Sequence, residues 1–458
     1  MSTKHQTVDA PNIKFVSLIS IIAAIGGLLF GFDTAVVSGA IGFLETHFSL
    51  NDFQVGWAVS SLIVGAVIGA GFAGVLSEKF GRKKMLLFAA ILFILGSLGS
   101  AIPETFNLYI ISRILGGIGI GITSTLCPLY NAEIAPTKYR GRLVALNQLA
   151  TVTGIFLVYF VNLWITSSGD EAWGITTAWR WMFGVGIIPG VIFFVLLFFV
   201  PESPRWLMKK GRTEEALKVL NKVHGPTLAK QESIEIAKSF DHKSGGFKDI
   251  FGSPILKTAL FVGVVLAVLQ QVTGINAVMY YAPEIFKQAG AGQNAALIQT
   301  ILVGLVNFIF TILSIRLIDK LGRKTLLMIG SAGMAISLIV IAICFQAGAN
   351  NGYLLLAFIL IYVASFAISL GAVVWVMIAE MFPNHIRGLA TAIAAMSLWI
   401  ADFVVSQSFP SLLSSIGTAA TFAIYAVMAI FTFFFSWKKI PETKDVPLEE
   451  IEKLWAKN

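Results

Sequence analysis

Glu78-Lys79-Phe80-Gly81-Arg82-Lys83 reads as a charged turn between apolar stretches until Asp319-Lys320-Leu321-Gly322-Arg323-Lys324 is set beside it. The same turn, written twice so far apart, suggests a chain built from two related halves. Glu133 and Pro136 followed by Arg140-Gly141 return at identical spacing as Glu380 and Pro383 followed by Arg387-Gly388, and Pro201-Glu202-Ser203 returns as Pro441-Glu442-Thr443. The separations between copies agree to within a few residues, so the halves have parallel topology.

Composition says what the halves are made of. With 56% hydrophobic and 13% charged residues over 458 positions, and a mean hydropathy of +0.81, an ordinary soluble domain is excluded. About twelve apolar segments recur, near 15–42, 54–77, 85–101, 107–131, 142–165, 181–200, 255–285, 295–318, 325–347, 353–380, 388–412 and 418–437. Each suffices to cross a hydrocarbon core of about 30 Å. Continuous, glycine-containing runs of this kind predict helices rather than the short alternating strands of a barrel. The expected fold is therefore an all-α membrane protein of twelve transmembrane helices in two six-helix bundles. Residues 1–200 form the first bundle, 201–250 a linker, 251–440 the second bundle and 441–458 a tail. Trp206, Leu207, Ala216, Leu217, Val219 and Leu220 alternate with charges in the linker and predict amphipathic helices.

Charge placement orients the chain. Lys79, Arg82, Lys83 and Lys84, then Lys138, Arg140 and Arg142, then Lys320, Arg323 and Lys324, and finally Lys438, Lys439 and Lys444 occupy alternate loops. The opposite loops at 45–52, 103–107 and 167–171 hold no Lys or Arg. By the positive-inside rule the basic loops and both termini are cytoplasmic. The net charge of +8 reports this asymmetry and not affinity for nucleic acid. Cys127 and Cys344 lie in apolar segments and predict no disulfide. The polar first 14 residues and the long first apolar segment predict no cleaved leader. No metal-ligand cluster, nucleophile elbow or phosphate-binding loop is present. Neither enzymatic activity, a metal nor a cofactor is expected.

Polar groups within the apolar segments are the functional signal. Gln270-Gln271-Val272-Thr273-Gly274-Ile275-Asn276-Ala277-Val278-Met279-Tyr280-Tyr281-Ala282-Pro283 places three amides, a threonine and two phenols where hydrocarbon would otherwise run. Such groups serve either as hydrogen bonds between helices or as a lining for a cavity or ligand. Asp33, Arg113 and Asp402 are ionisable residues placed within spans. At about 1.5 Å per residue, Asp33 lies about 27 Å along the first helix from the cytoplasm and Arg113 about 9 Å along the fourth from outside. Both therefore fall in the outer half of the bilayer. A helix movement that separated them would alter the acid's proton affinity. Asp402 either faces a wet cavity, caps a polar contact or has no direct role. His5, His47, His224, His242 and His385 all fall in termini or loops. Gly31-Phe32-Asp33 aligns with Gly274-Ile275-Asn276 across the repeat, with an acid in one half and an amide in the other.

The Gly81-Arg82 turn resembles the hallmark of the major facilitator superfamily. Taken with Glu133 to Arg142, Pro201-Glu202-Ser203-Pro204-Arg205, Gln270 to Pro283 and Pro441-Glu442-Thr443, nearly the whole chain resembles the sugar porter family. That resemblance implies a monomeric carrier in the lipid bilayer of a bacterial plasma membrane, moving a proton with a monosaccharide by alternating access. By family position Asp33 takes the proton with Arg113 as its partner. Gln148, Gln270, Gln271, Asn276 and Trp375 contact sugar, and Phe30, Tyr280, Tyr281 and Trp399 line or close the site. Glu133 with Arg142 and Glu380 with Arg387 pair with the basic loops, including Arg82 and Arg323, as a cytoplasmic gate. Amides suit hydroxyls because one side chain both donates and accepts. Leu398 and Ile155 stand where some sugar porters carry further amides, which leaves hexose, pentose and polyol open. A facilitator without proton coupling and a transporter-like sensor are the other readings.

Overall fold

The computed structural model describes residues 11–136, 139–239, 247–348, 352–383, 386–444 and 455. Lys138, His5, His242, His385 and most of the tail beyond Lys444 lie outside them. The first half holds α1 (Ile13–Phe48), α2 (Asp52–Phe80), α3 (Arg82–Ala101), α4 (Phe106–Ile134), α5 (Arg140–Thr166), α6 (Glu171–Trp173), α7 (Trp179–Val185) and α8 (Ile187–Leu197). Next come α9 (Pro204–Lys209), α10 (Thr213–His224), α11 (Pro226–Ser239) and α12 (Phe247–Gly252). The second half holds α13 (Pro254–Val272), α14 (Ile275–Gln288), α15 (Gln293–Leu321), α16 (Arg323–Gln346), α17 (Gly352–Phe366), α18 (Ala372–Glu380), α19 (Arg387–Ile416) and α20 (Thr418–Lys439). Counting α6–α8, α13–α14 and α17–α18 as one span each, 12 segments among the described residues are long and apolar enough to cross a membrane.

Two bundles result. In the first, α4 packs on α2 and α3 while α1 packs along α5; in the second, α16 packs on α20 and α17 while α13 packs along α19. The bundles meet where α2 lies against α19, α5 against α15 and α1 against α14. The linker helices use their apolar faces on one another. Trp206, Leu207 and Ala216 cluster with Met208 and Val219, and Leu220, Ala229 and Ile236 form a second cluster.

The duplicated turn has the same construction in both halves. Gly81 (φ 101°) ends α2 and Gly322 (φ 87°) ends α15, each in the left-handed region. The next helix then starts with its first amides unpaired. Glu202 accepts from the backbone N–H of Arg82 (2.9 Å) and Lys83 (3.2 Å), and Glu442 from those of Arg323 (2.9 Å) and Lys324 (3.1 Å). A carboxylate at a helix N-terminus is favoured by the helix dipole as well. Burial pushes the Glu202 carboxyl up, opposed by the N–H groups of Ser203, Lys83 and Arg82 and by the Arg82 charge. A side chain at residue 81 or 322 would meet the Glu202 or Glu442 carboxylate. Gly81→Ala and Gly322→Ala are each expected to cost at least about 1–2 kcal/mol through the left-handed backbone alone, read as a lower thermal midpoint of the detergent-purified protein. Midpoints equal to wild type would show that the turn is not needed.

Two spans depart from regular helix where function is expected. The seventh span breaks between α13 and α14 at Gly274 (φ 88°), with the Tyr425 ring in the place a Cβ would take. Tyr362 Oη donates to the freed Thr273 carbonyl at 2.9 Å. A second kink falls at Tyr281, two residues before Pro283. In the tenth span a π-helical turn, Ala367–Gly371, joins α17 to α18. A π turn weakens the regular hydrogen-bond ladder, and side chains from neighbouring helices fill in. Gln270 Nε2 donates to Leu370 O at 2.7 Å, and Ser314 Oγ to Ile368 O at 3.0 Å.

Candidate functional site

Asp33, on α1, and Arg113, on α4, for which the sequence arithmetic gave a similar depth, come together. Arg113 Nη1 donates to Asp33 Oδ1 at 2.5 Å and Nη2 to the Asp33 carbonyl at 3.1 Å. Asp33 is 5% and Arg113 2% exposed. The guanidinium carbon lies 5.1 Å from the centre of the Phe183 ring, a cation–π contact. Removing either partner of a buried pair leaves the other charge uncompensated, so the two residues hold α1 and α4 together as a unit.

The amides of the second half form one connected row. Gln271 Nε2 donates to Gln270 Oε1 at 3.2 Å, and Asn276 Nδ2 to Gln271 Oε1 at 2.8 Å. The helix break makes this possible, because it carries Asn276 back toward Gln271 across Gly274. Gln270 and Gln271 are buried and Asn276 is half-buried. Gln148 on α5 is half-buried, and Trp375 on α18 remains 39% exposed. Trp399 is buried, with the Phe30 ring edge-on at 5.5 Å across the boundary between the bundles.

The end of the molecule away from the basic loops is drawn shut. Tyr159 Oη donates to Met279 O at 2.8 Å, linking α5 to α14. Ser60 Oγ donates to Gln407 Oε1 at 2.7 Å, and Gln407 Nε2 to Phe53 O at 2.9 Å, linking α2 to α19. Tyr280 and Tyr281 are both buried there, Tyr281 Oη donating to Ser406 O at 3.0 Å. Tyr159, Ser60 and Gln407 were not singled out from the sequence. A lone hydroxyl or amide in a span carries no mark of whether its partner lies in its own bundle.

At the basic end the duplicated charges pair within each bundle. Arg82 meets Glu133 through two bonds of 3.0 and 2.9 Å, and Arg323 meets Glu380 through two of 3.1 and 2.9 Å. Asp319 adds a 3.2 Å contact to Arg323, and Thr443 Oγ1 donates to Glu380 at 2.7 Å. Arg387 Nε donates to the Phe382 carbonyl. Arg142 is exposed and joins no ion pair among the described residues. Trp206 Nε1 donates to Glu78 O and Trp455 Nε1 to Met381 O, so each bundle has a tryptophan fastened to this face.

Asp402 is the residue whose importance the sequence left open. It is 1% exposed and accepts from Ser406 Oγ, one turn on in the same helix, at 3.1 Å. The clue in the sequence was an acid within an apolar span; the packing of α19 against α2, α13 and α14 encloses it.

Twelve spanning helices in two repeated bundles, with a connected polar row in one half and a buried charge pair in the other, define a secondary carrier with the major facilitator fold. The profile of the family described as "Sugar (and other) transporter" matches residues 19–455, and the chain belongs to that family. It is 48% identical over 446 residues to the arabinose-proton symporter of Bacillus subtilis, covering 97% of this chain and 96% of the relative. It is 43% identical over 478 residues to the D-xylose-proton symporter of Escherichia coli strain K12, with the same coverage. Among solved structures, the proton:xylose symporter XylE bound to 6-bromo-6-deoxy-D-glucose superposes with a TM-score of 0.83 at 43% identity, covering 97% of this chain and 100% of that one. The chain is a multi-pass plasma-membrane protein.

Proposed function

We propose that this protein imports a monosaccharide together with a proton by alternating access, as a monomer in the lipid bilayer, with the basic loops and both termini in the cytoplasm. The observation that carries this reading is the buried Asp33–Arg113 pair set in the bundle opposite the connected amides Gln270, Gln271 and Asn276. The two relatives described above, both proton symporters of sugars, support it. Gln148, Gln270, Gln271, Asn276 and Trp375 bind the sugar, which is a hexose, a pentose or a polyol. Phe30, Trp399, Tyr280 and Tyr281 line and close it off. Arg82 with Glu133 and Arg323 with Glu380 brace the cytoplasmic ends of the bundles, with Arg142 and Arg387 beside them, so that the bundles rock as units.

The arrangement supports a cycle that needs no covalent chemistry. With its outer end held by Tyr159, Ser60 and Gln407, the structure corresponds to a carrier closed to the outside. Proton binding to Asp33 would release Arg113 from its charge partner and loosen α1 from α4. Sugar would draw the bundles together through amides in one half and Gln148 in the other. Each ligand thereby favours the same rearrangement, which is the requirement for coupling.

Uptake of labelled monosaccharides and polyols into proteoliposomes, with and without an inward proton gradient, tests this reading. Accumulation above equilibrium that collapses with a protonophore is the expected result. Equilibration without accumulation would mean a facilitator, and no uptake of any of these sugars would overturn the reading. Gln270→Leu is expected to raise the KM for sugar at least about tenfold, or about 1.4 kcal/mol, since it removes a sugar-binding amide and leaves Leu370 O unpaired. A KM within twofold of wild type would remove Gln270 from the site.

A further inference from the structure

We propose that Tyr425 is a positioning residue for the sugar site: its ring wedges the break in the seventh span at Gly274 and so holds Asn276 against Gln271. This rests on the transport reading above, in which Asn276 binds sugar.

The bond from Asn276 Nδ2 to Gln271 Oε1, 2.8 Å long, joins side chains five residues apart. In an unbroken α-helix that spacing sets them about 140° apart round the axis, on different faces. The pair therefore depends on the shape of the break. Gly274 takes φ 88°, and its N–H donates to the Gln271 carbonyl at 2.9 Å. Thr273 Oγ1 donates to the Gln270 carbonyl and Tyr362 Oη to that of Thr273, each at 2.9 Å. These bonds satisfy the polar groups of the turn and leave the direction of α14 to packing. Tyr425, on α20 and 4% exposed, presents Cγ, Cδ2 and Cε2 of its ring to the point where a Cβ of residue 274 would sit. Straightening or rotating the break would drive residue 274 into that ring or open a void beside it, and a close-packed interior resists both.

The same ring is tied to the outer closure. Tyr425 stacks on Phe409 of α19, with centroids 6.4 Å apart and planes inclined by 14°. Phe409, fully buried, lies 5.0 Å from the ring of Tyr281, and Phe422 stands edge-on to both Phe409 and Tyr425. Tyr281 is the second kink of the span. The column Tyr425, Phe409, Tyr281 thus joins the two breaks that bound the segment carrying Asn276 and Tyr280. The Tyr425 hydroxyl has no hydrogen-bond partner among the described residues, so the ring is the part that acts.

Equilibrium exchange of labelled sugar in proteoliposomes separates positioning from folding, because the maximal rate depends on how much protein is folded and KM does not. Tyr425→Ala is expected to raise KM about tenfold, the loss of roughly one hydrogen bond to the sugar. Tyr425→Phe keeps the ring and should hold KM within about twofold of wild type; Asn276→Ala should raise KM as Tyr425→Ala does, and combining the two should add less than about twofold, since the ring acts through that amide. A wild-type KM for Tyr425→Ala with a lower maximal rate is what a merely structural role would give and would overturn the proposal. Fully multiplicative KM effects in the double variant would overturn it as well, as would a Tyr425→Phe KM as high as that of Tyr425→Ala. Should Tyr425→Ala fail to reach the membrane, a wild-type KM for Tyr425→Leu overturns it. An unchanged KM for Asn276→Ala would remove that residue from the sugar site, and wild-type protein that exchanges no sugar would refute the transport reading; either takes the proposal with it.

Discussion

Asp33→Asn abolishes uphill accumulation of sugar while exchange of labelled sugar continues. With one proton per sugar and no membrane potential, a gradient of one pH unit supports about tenfold accumulation, equivalent to about 1.4 kcal/mol; the variant should reach a ratio of about one. The physical argument is that asparagine resembles the protonated acid in size and charge. A proton-coupled cycle has to pass through a state with Arg113 beside a neutral residue 33, so the substitution traps a state that the protein already tolerates. The guanidinium keeps the Asp33 backbone carbonyl at 3.1 Å and the Phe183 face. The measurement is uptake under an inward proton gradient beside counterflow exchange in the same proteoliposomes. Accumulation at the wild-type ratio would exclude Asp33 from coupling.

Arg113→Ala is expected to do more damage, and of a different kind. It leaves the Asp33 carboxylate, 5% exposed, with no cation, and breaking a buried pair from one side costs about 3–5 kcal/mol. It also empties the volume of a fully buried arginine between α1, α4 and Phe183. Changes of this size alter the amount of folded protein several-fold, so membrane abundance and thermal midpoint should both drop. Adding Asp33→Asn to Arg113→Ala removes the stranded charge and should recover part of the loss, giving a coupling energy of the kind that contacting residues show. Strictly additive losses would mean that the 2.5 Å pair contributes no interaction of its own.

The two variants separate the roles of the pair. An acid that only holds α1 to α4 would make Asp33→Asn as destabilising as Arg113→Ala. An acid that also carries a proton allows a folded but uncoupled protein. The two buried acids also differ in surroundings: Asp33 is set against a guanidinium, and Asp402 accepts from the Ser406 hydroxyl.

Much of this could be read before folding was considered. The Gly81 and Gly322 turns, the Glu133 and Glu380 repeats and the twelve apolar segments define two six-helix bundles, because spanning helices satisfy their own backbone and their lengths are set by the bilayer. That Asp33 and Arg113 lie at similar depth follows from the fixed rise per residue. These are properties of single helices or of their order in the chain, and local chemistry writes them into the sequence.

Tertiary structure decided which polar groups share an interface. Glu202 and Glu442 were visible as repeated residues, yet their work as caps on α3 and α16 requires turns that return more than a hundred positions later in the chain. Glu133 could have met any basic loop; packing of α4 on α2 and α3 gave it Arg82. Tyr159 with Met279, Ser60 with Gln407, and Tyr281 with Ser406 are side-chain choices between helices far apart in sequence. Hydropathy marks depth and face, but rotation and register come from the packing of whole helices. The sequence by itself determined the membrane-spanning repeat and the inventory of polar groups within it. Only the folded bundles decided which of those groups could exchange a hydrogen bond.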